Sequence, residues 1–266
     1  MAQIRTEIDG HIAWLLLDRP EKLNAMTIQS WGEMGEALTA LGREPDLRCL
    51  IIAGEGRAFL AGHDVNEMRE HTEDFAAGKF KPAELHEGQK NLQETTRQIR
   101  KLRFPVIAAV HGYAVGAGCE VTLACDLVVA AEGTKLGFPE VTVGATITNG
   151  GTFLLPRKVG LGRARELAYM GEFVDAQEAL AMGLVNRVVP QSELRATAEK
   201  MARRIASRAP LPVQLHKAML DRGQEASLET MLAFETEALV MTAVTEDHRE
   251  GAAAFFEKRE PVFKGL

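Results

Sequence analysis

Apolar runs recur along the first half of the chain, each closed by proline, glycine or charge. Residues 11–18 (HIAWLLLD) end at Arg19-Pro20, and residues 47–53 (LRCLIIA) end at Gly54-Glu55-Gly56. Residues 105–110 (PVIAAV) and 127–131 (LVVAA) continue the series. None alternates cleanly with polar residues, so each reads as a strand buried on both faces. Between the first two, Ile28, Trp31, Met34 and Leu38 recur at helical spacing behind Thr27, a residue suited to an N-cap. A second helix is predicted over residues 83–102, with Leu85, Leu92, Ile99 and Leu102 on one side. The polar stretch before it, REHTEDFAAGKFKP, reads as a mobile excursion. Strands alternating with helices predict an α/β fold with parallel strands.

Beyond Pro190 the pattern becomes wholly helical. Leu194, Ala198, Met201 and Ile205 make one stripe, and Pro210-Leu211-Pro212 interrupts the chain. Helices over residues 213–221, 228–244 and 246–259 follow. The expected division is therefore a core over residues 1–190 and a helical region over 191–266. No repeat of 20–50 residues is visible along the sequence.

Three polar features interrupt this apolar frame. In HGYAVGAGCEVTLACD, residues 111–126, Glu120 stands in a helical apolar run that opens on glycines. Burying a lone carboxylate costs several kcal/mol (roughly 2–7 for a neutral polar group, more for a charge). Glu120 therefore has either a structural partner or a chemical task. A glycine-rich helix start exposes unpaired N–H groups that suit a developing oxyanion, and it also suits a plain tight connection. Dinucleotide binding fits poorly, because Gly112, Gly116 and Gly118 do not follow G-x-G-x-x-G. The second feature, FLAGHDVNEM at 59–68, could present another backbone N–H or form a surface turn. The third, LGFPEVTVGATITNGG at 136–151, places Glu140 among Phe138, Val141 and Val143. Two carboxylates in apolar surroundings can divide acid and base work, or each can be held by its own cation.

Composition narrows the classes. A net charge of −6 argues against a nucleic-acid partner. No stretch approaches the ~18 apolar residues of a membrane span. The opening MAQIRTEIDG has no signal-like apolar core, so the expectation is a cytoplasmic protein. Cys49, Cys119 and Cys125 form no disulfide framework. The seven histidines make no HxxxH or HxH pair, so no metal site is expected, and no G-x-S-x-G suggests a hydrolase triad.

Six ordered segments then resemble one family along essentially the whole chain. They are RPEKLNAM (19–26), GEGRAFLAGHDVNEM (54–68) and FPVIAAVHGYAVGAGCEVTLACDLVVAAE (104–132), then LGFPEVTVGA (136–145), LPRKVGLGRARELAYMGEFVDAQEALAMGLVNRVV (155–189) and TEDHREGAAAFFEKREPVFKG (245–265). The family is the enoyl-CoA hydratase/isomerase, or crotonase, family. The resemblance implies a spiral of β-β-α units with a C-terminal helical trimerisation region, assembled as a trimer or a dimer of trimers. It implies an acyl-CoA thioester substrate, of the kind met in fatty acid metabolism, and no separate cofactor. It implies an oxyanion hole from the backbone N–H groups of His63 and Ala117. Hydratases of the family hold one water between two carboxylates, here Glu120 and Glu140, whereas many isomerase-type members keep only the second. Retention of both implies hydration of a trans-2-enoyl-CoA; isomerase, dehydratase, thioester hydrolase and non-catalytic acyl-CoA- or RNA-binding relatives are the alternatives.

The same resemblance puts CoA along Lys22, Ala61, His63, Asp64 and Val65, and the acyl group near Met68, Tyr113, Thr146 and Asn149. The chain departs from the family pattern in three places. Asn66 replaces a common Lys, His63 replaces a common Ala, and residues 146–151 (TITNGG) replace I-P-G-A-G-G.

Overall fold

The computed structural model describes residues 3–79 and 81–266, with the side chains of Met68 and His71 outside that description. Two strands open the chain, β1 (Ile4–Asp9) and β2 (Ile12–Leu17), paired antiparallel around Gly10. The predicted buried strands follow as β3 (Cys49–Gly54), β4 (Val106–Val110) and, after β5 (Tyr113–Val115), β6 (Leu127–Ala131). Three shorter strands complete the set: β7 (Lys135–Gly137), β8 (Phe173–Asp175) and β9 (Arg187–Val189).

These strands form two sheets. One has six strands in the order β1-β2-β3-β4-β6-β9, parallel from β2 onward. The other has three, in the order β5-β7-β8. From β4 to β7 successive strands alternate between the sheets, β4 and β6 in the first and β5 and β7 in the second. That alternation is the winding of a spiral. Gly112 makes the turn from β4 to β5 at φ +61°, and a Cβ there would lie 2.0 Å from Arg57 O.

Alternate residues of the large sheet feed two cores, as the period of a strand requires. Leu50, Ile52, Val106, Ala108 and Val110 face the core shared with α1 (Ile28–Arg43) and α3 (Pro82–Lys101). Cys49, Ile51, Ile107 and Ala109 face the core shared with α8 (Leu194–Ala206). Thr27 caps α1 in a capping box with Ser30, as its position suggested.

Two expectations change. The polar stretch after residue 68 is not an excursion throughout: its first half lies within α2 (Val65–Ala76), whose first turn is capped by Asp64 onto the Asn66 N–H. On α8 the buried seam runs through Leu194, Ala198, Ala202 and Ala206, with Met201 and Ile205 at its edge. Small residues hold the seam because the helix lies close on the sheet. Pro210 and Pro212 fall in the first turn of α9 (Pro210–Gly223), where missing N–H groups cost little.

Four helices bridge the middle of the chain: α4 (Ala117–Ala124), α5 (Gly151–Val159), α6 (Leu161–Met170) and α7 (Ala176–Ala181). Two more, α10 (Leu228–Ala243) and α11 (Glu246–Glu257), close it. Lys217 pins α9 to the sheet. Its buried ammonium donates to Asp126 Oδ2 at 2.8 Å, Phe104 O at 3.0 Å and Ile99 O at 3.4 Å.

Candidate active site

Every residue of α4 is buried, including Glu120, which is 2% exposed. Its helix starts at Gly116, whose φ of +56° and ψ of −124° only glycine adopts readily. Glu120 Oε1 accepts the Asn149 N–H at 2.6 Å and the Gly151 N–H at 3.1 Å. Burial favours the neutral carboxyl, the backbone donors oppose it, and the nearby Glu140 charge adds to the burial effect. The proton affinity is pushed up to about 7.

Glu140 comes from a different element, the 3-10 helix Pro139–Val143 that follows β7. It lies against the start of α4, since a Cβ on Gly116 would stand 3.2 Å from Glu140 Oε1. Its Oε2 is buried without a hydrogen-bond partner among the described residues. Burial raises its pKa as well. Among the described residues neither glutamate forms an ion pair, so cation-held glutamates do not describe this pair. The arrangement is two carboxyls of raised proton affinity near one helix start, one of them with a spare oxygen.

The helix start also carries backbone donors. Intrahelical bonding begins with the Glu120 N–H onto Gly116 O, so the Ala117 N–H precedes the ladder. His63 lies on the neighbouring segment. Leu60 bridges Ala114 of β5, and Cβ atoms on Gly118 and Gly62 would lie 2.1 Å from Leu60 O and 3.2 Å from Val115 O. The segments bearing His63 and Ala117 thus run side by side at backbone contact, which only glycines at 62 and 118 allow.

A third segment locks onto these two. Ala61 N–H donates to Leu23 O, Met26 N–H to Gly62 O and Asp64 N–H to Met26 O. The side chains reinforce that ladder through Arg19, whose Nη1 donates to buried Asp64 at 2.5 Å and to Ala25 O at 3.0 Å. Burial alone would raise the Asp64 pKa; the Asn66 N–H and the Arg19 guanidinium outweigh it and hold it below its ordinary value. Asn24, left-handed at φ +57°, donates to Glu55 O and Ala58 O from its amide.

The structure thus gathers Glu120, Glu140, Ala117, His63, Ala61 and Asp64, and keeps Lys22, at the end of the 3-10 helix Pro20–Lys22, and Val65, at the start of α2, exposed nearby. The His63 ring packs against Trp31, with centroids 6.1 Å apart. Asn149 is buried and enters through its backbone N–H, while its side chain turns to Thr96 on α3. Thr146 is exposed on the adjoining loop. Tyr113 opens β5, exposed, with no side-chain bond to either glutamate among the described residues. The Met68 side chain lies outside the described residues. Sequence reasoning missed Arg19 and the α3 residues that face the 148–149 loop. A carboxylate following the loop glycine at position 62 was the available signal for Arg19.

No group of three or more His, Cys, Asp or Glu among the described residues could hold a metal ion. No described helix is long and apolar enough to cross a membrane. Comparison with known proteins gives one consistent answer. Residues 7–266 match the enoyl-CoA hydratase/isomerase family. The short-chain-enoyl-CoA hydratase of Clostridium acetobutylicum is 38% identical over 255 residues, 96% of this chain and 94% of that one. The 2,3-dehydroadipyl-CoA hydratase of Escherichia coli is 37% identical over 265 residues and the full length of both chains. In structure, an enoyl-CoA hydratase from Bacillus anthracis superposes with a TM-score of 0.92 at 35% identity, covering 99% of this chain and 100% of that one. The six ordered segments, the spiral of two sheets and these matches agree that the chain belongs to the enoyl-CoA hydratase/isomerase family.

Proposed function

We propose that this chain adds water reversibly to a trans-2-enoyl-CoA, giving a 3-hydroxyacyl-CoA. The observation that carries the reading is the pair Glu120 and Glu140 beside the N-terminus of α4, with no cation against either among the described residues. Acid–base work needs carboxyls whose proton affinity approaches the working pH, and burial moves both in that direction. The thioester oxygen sits between the N–H groups of His63 and Ala117 and takes up negative charge as the water adds. Loss of one such donor costs about 3 kcal/mol of transition-state stabilisation.

The protons balance across the pair. Water gives its hydroxyl to C3 and its remaining proton to Glu120, while Glu140 gives its proton to C2. The pair begins and ends with one proton in total, passed back to Glu140 through solvent, and dehydration runs the same steps in reverse. The two groups titrate as a coupled unit. CoA lies along the locked loops at Lys22, Ala61, His63, Asp64 and Val65. In that arrangement Asp64 acts through Arg19 and the loop path, because its carboxylate is already engaged. The acyl group runs toward Thr146 and Asn149.

The assembly in this reading is a trimer or a dimer of trimers joined through residues 191–266. Support comes from α10, which buries only Ala238 and exposes Leu232, Leu239, Val240 and Met241, and from exposed Phe255 and Phe256 on α11. A cytoplasmic setting suits three cysteines that are unpaired and buried, each thiol pushed up to about 12 by burial.

The test is a panel of enoyl-CoA thioesters incubated in isotopically heavy water and read by mass spectrometry. Heavy oxygen at C3 is expected. A double bond that moves without gaining oxygen, or release of free acid and CoA, would replace hydration by isomerisation or hydrolysis.

A further inference from the structure

The loop that holds Glu120 is itself held from α3. Gln89 and Gln93 lie one helical turn apart, with Thr96 three residues further along the same face. Gln93 Nε2 donates to Thr148 O at 3.0 Å, and Gln89 Nε2 donates to the same oxygen at 3.3 Å. Thr96, 7% exposed, donates its hydroxyl to Asn149 Oδ1 at 2.9 Å, with a longer approach to Asn149 O at 3.2 Å.

The carbonyl of Thr148 and the N–H of Asn149 belong to one peptide unit. The face of that peptide turned to α3 accepts the two glutamine amides, and its N–H donates to Glu120 at 2.6 Å. Hydrogen bonds in series polarise one another, so donors on a carbonyl make the N–H of the same peptide a stronger donor. Thr96 fixes the orientation of that peptide by gripping the next side chain. Asn149 accepts this grip while its own Nδ2 is buried without a partner among the described residues.

We infer that Gln89, Gln93 and Thr96 are positioning residues for Glu120, acting through the Thr148–Asn149 peptide. The stripe touches neither carboxylate directly, and the inference rests on the hydratase reading only for its kinetic consequence. The titratable groups around Glu120 are Glu140 from the facing loop, Cys119 beside it on α4, and Lys158 on α5, whose charge interacts with Cys119. On α3 itself Lys90, Glu94 and Arg97 are exposed, so none of them substitutes for the neutral amides.

The sign follows from the chain of bonds. Removing the amides weakens the Asn149 donor, stabilises the Glu120 carboxylate less and raises the pH at which Glu120 ionises. The size expected from cooperativity of this kind is about half a pH unit.

The experiment follows the Glu120 carboxyl by carbon-13 NMR titration of the full chain, with the resonance assigned through Glu120→Gln. A double variant, Gln89→Met with Gln93→Met, keeps volume and removes both donors; Thr96→Val does the same at the third position, and Thr96→Ser restores the hydroxyl. The midpoint is expected to rise in the first two and to stay at the wild-type value in Thr96→Ser and in the exposed control Lys90→Ala. In hydration assays the acid limb of kcat moves by the same amount while KM for the CoA thioester stays unchanged. If the double variant does not fold, Gln93→Met alone reads the same rise at about half the size. An unchanged Glu120 midpoint in a folded variant overturns the inference. Absence of hydration by the wild type would overturn the function proposed above, and the NMR titration would still decide this one.

Discussion

Replacing Glu120 with glutamine should make the protein more tolerant of alkaline pH while abolishing its chemistry. Glu120 is 2% exposed, and its proton affinity rises from 4.5 to about 7 because burial penalises the carboxylate. Between those two values the folded chain binds a proton that the unfolded chain has released. Stability therefore falls as pH rises through that window; the cost is absent below 4.5 and complete above 7. At 1.36 kcal/mol per unit, the full cost is about 3 kcal/mol. Glutamine keeps the shape and an acceptor oxygen for the Asn149 and Gly151 N–H groups, and it does not titrate. Weaker acceptance by the amide lowers stability equally at every pH, so the difference between two pH values isolates the proton term. The Glu140 contribution has the same sign in both proteins, and because the two carboxyls are coupled it is smaller once the Glu120 charge is gone, which adds to the same difference. Urea unfolding at pH 5 and pH 8, at one protein concentration, gives the four midpoints required. The wild type should lose about 2–3 kcal/mol more than Glu120→Gln over that interval. Equal losses would refute the claim that Glu120 is buried at the expense of its charge.

Two further expectations concern packing. Gly118→Ala brings a Cβ to 2.1 Å from Leu60 O, so the start of α4 must move away from the segment bearing His63. A loss of about 1–3 kcal/mol in urea unfolding is expected, together with a fall in kcat larger than the change in KM. The exposed apolar face of α10 should be covered by other copies of the chain, so light scattering is expected to give three or six times the chain mass. Leu239→Asp should shift that mass toward the single chain, and a wild type already at chain mass would remove the trimer reading.

What the sequence exposes and what it hides follow from how each element is buried. Strands β2, β3, β4 and β6 are legible because both faces are covered, leaving long apolar runs. The edge strand β1 escapes the same reading, since Ile4 alone of its residues is buried. Strands β5, β7, β8 and β9 have three residues each, too few to show a period. The helix α2 is polar on nearly every side, so no apolar stripe marks it, and its cap at Asp64 is visible only once Asn66 is known to sit in a first turn.

The site divides along a different line. Glu120 and Glu140 stand out because a carboxyl among apolar residues is conspicuous in any sequence. The groups that answer Glu120 do not stand out. Its donors are backbone N–H groups 29 and 31 residues away, and every residue except proline carries one. The glutamines behind those donors act on a carbonyl 59 and 55 residues away, so neither end of that contact has a residue identity to match. An inward polar stripe on a helix predicted to be amphipathic was the one available sign. A buried carboxyl thus announces the site, while the strength with which it holds its proton is set by peptides whose side chains are nearly silent on the matter. Change in TITNGG can therefore retune the acid–base pair without touching either glutamate, provided the peptide between Thr148 and Asn149 keeps its orientation.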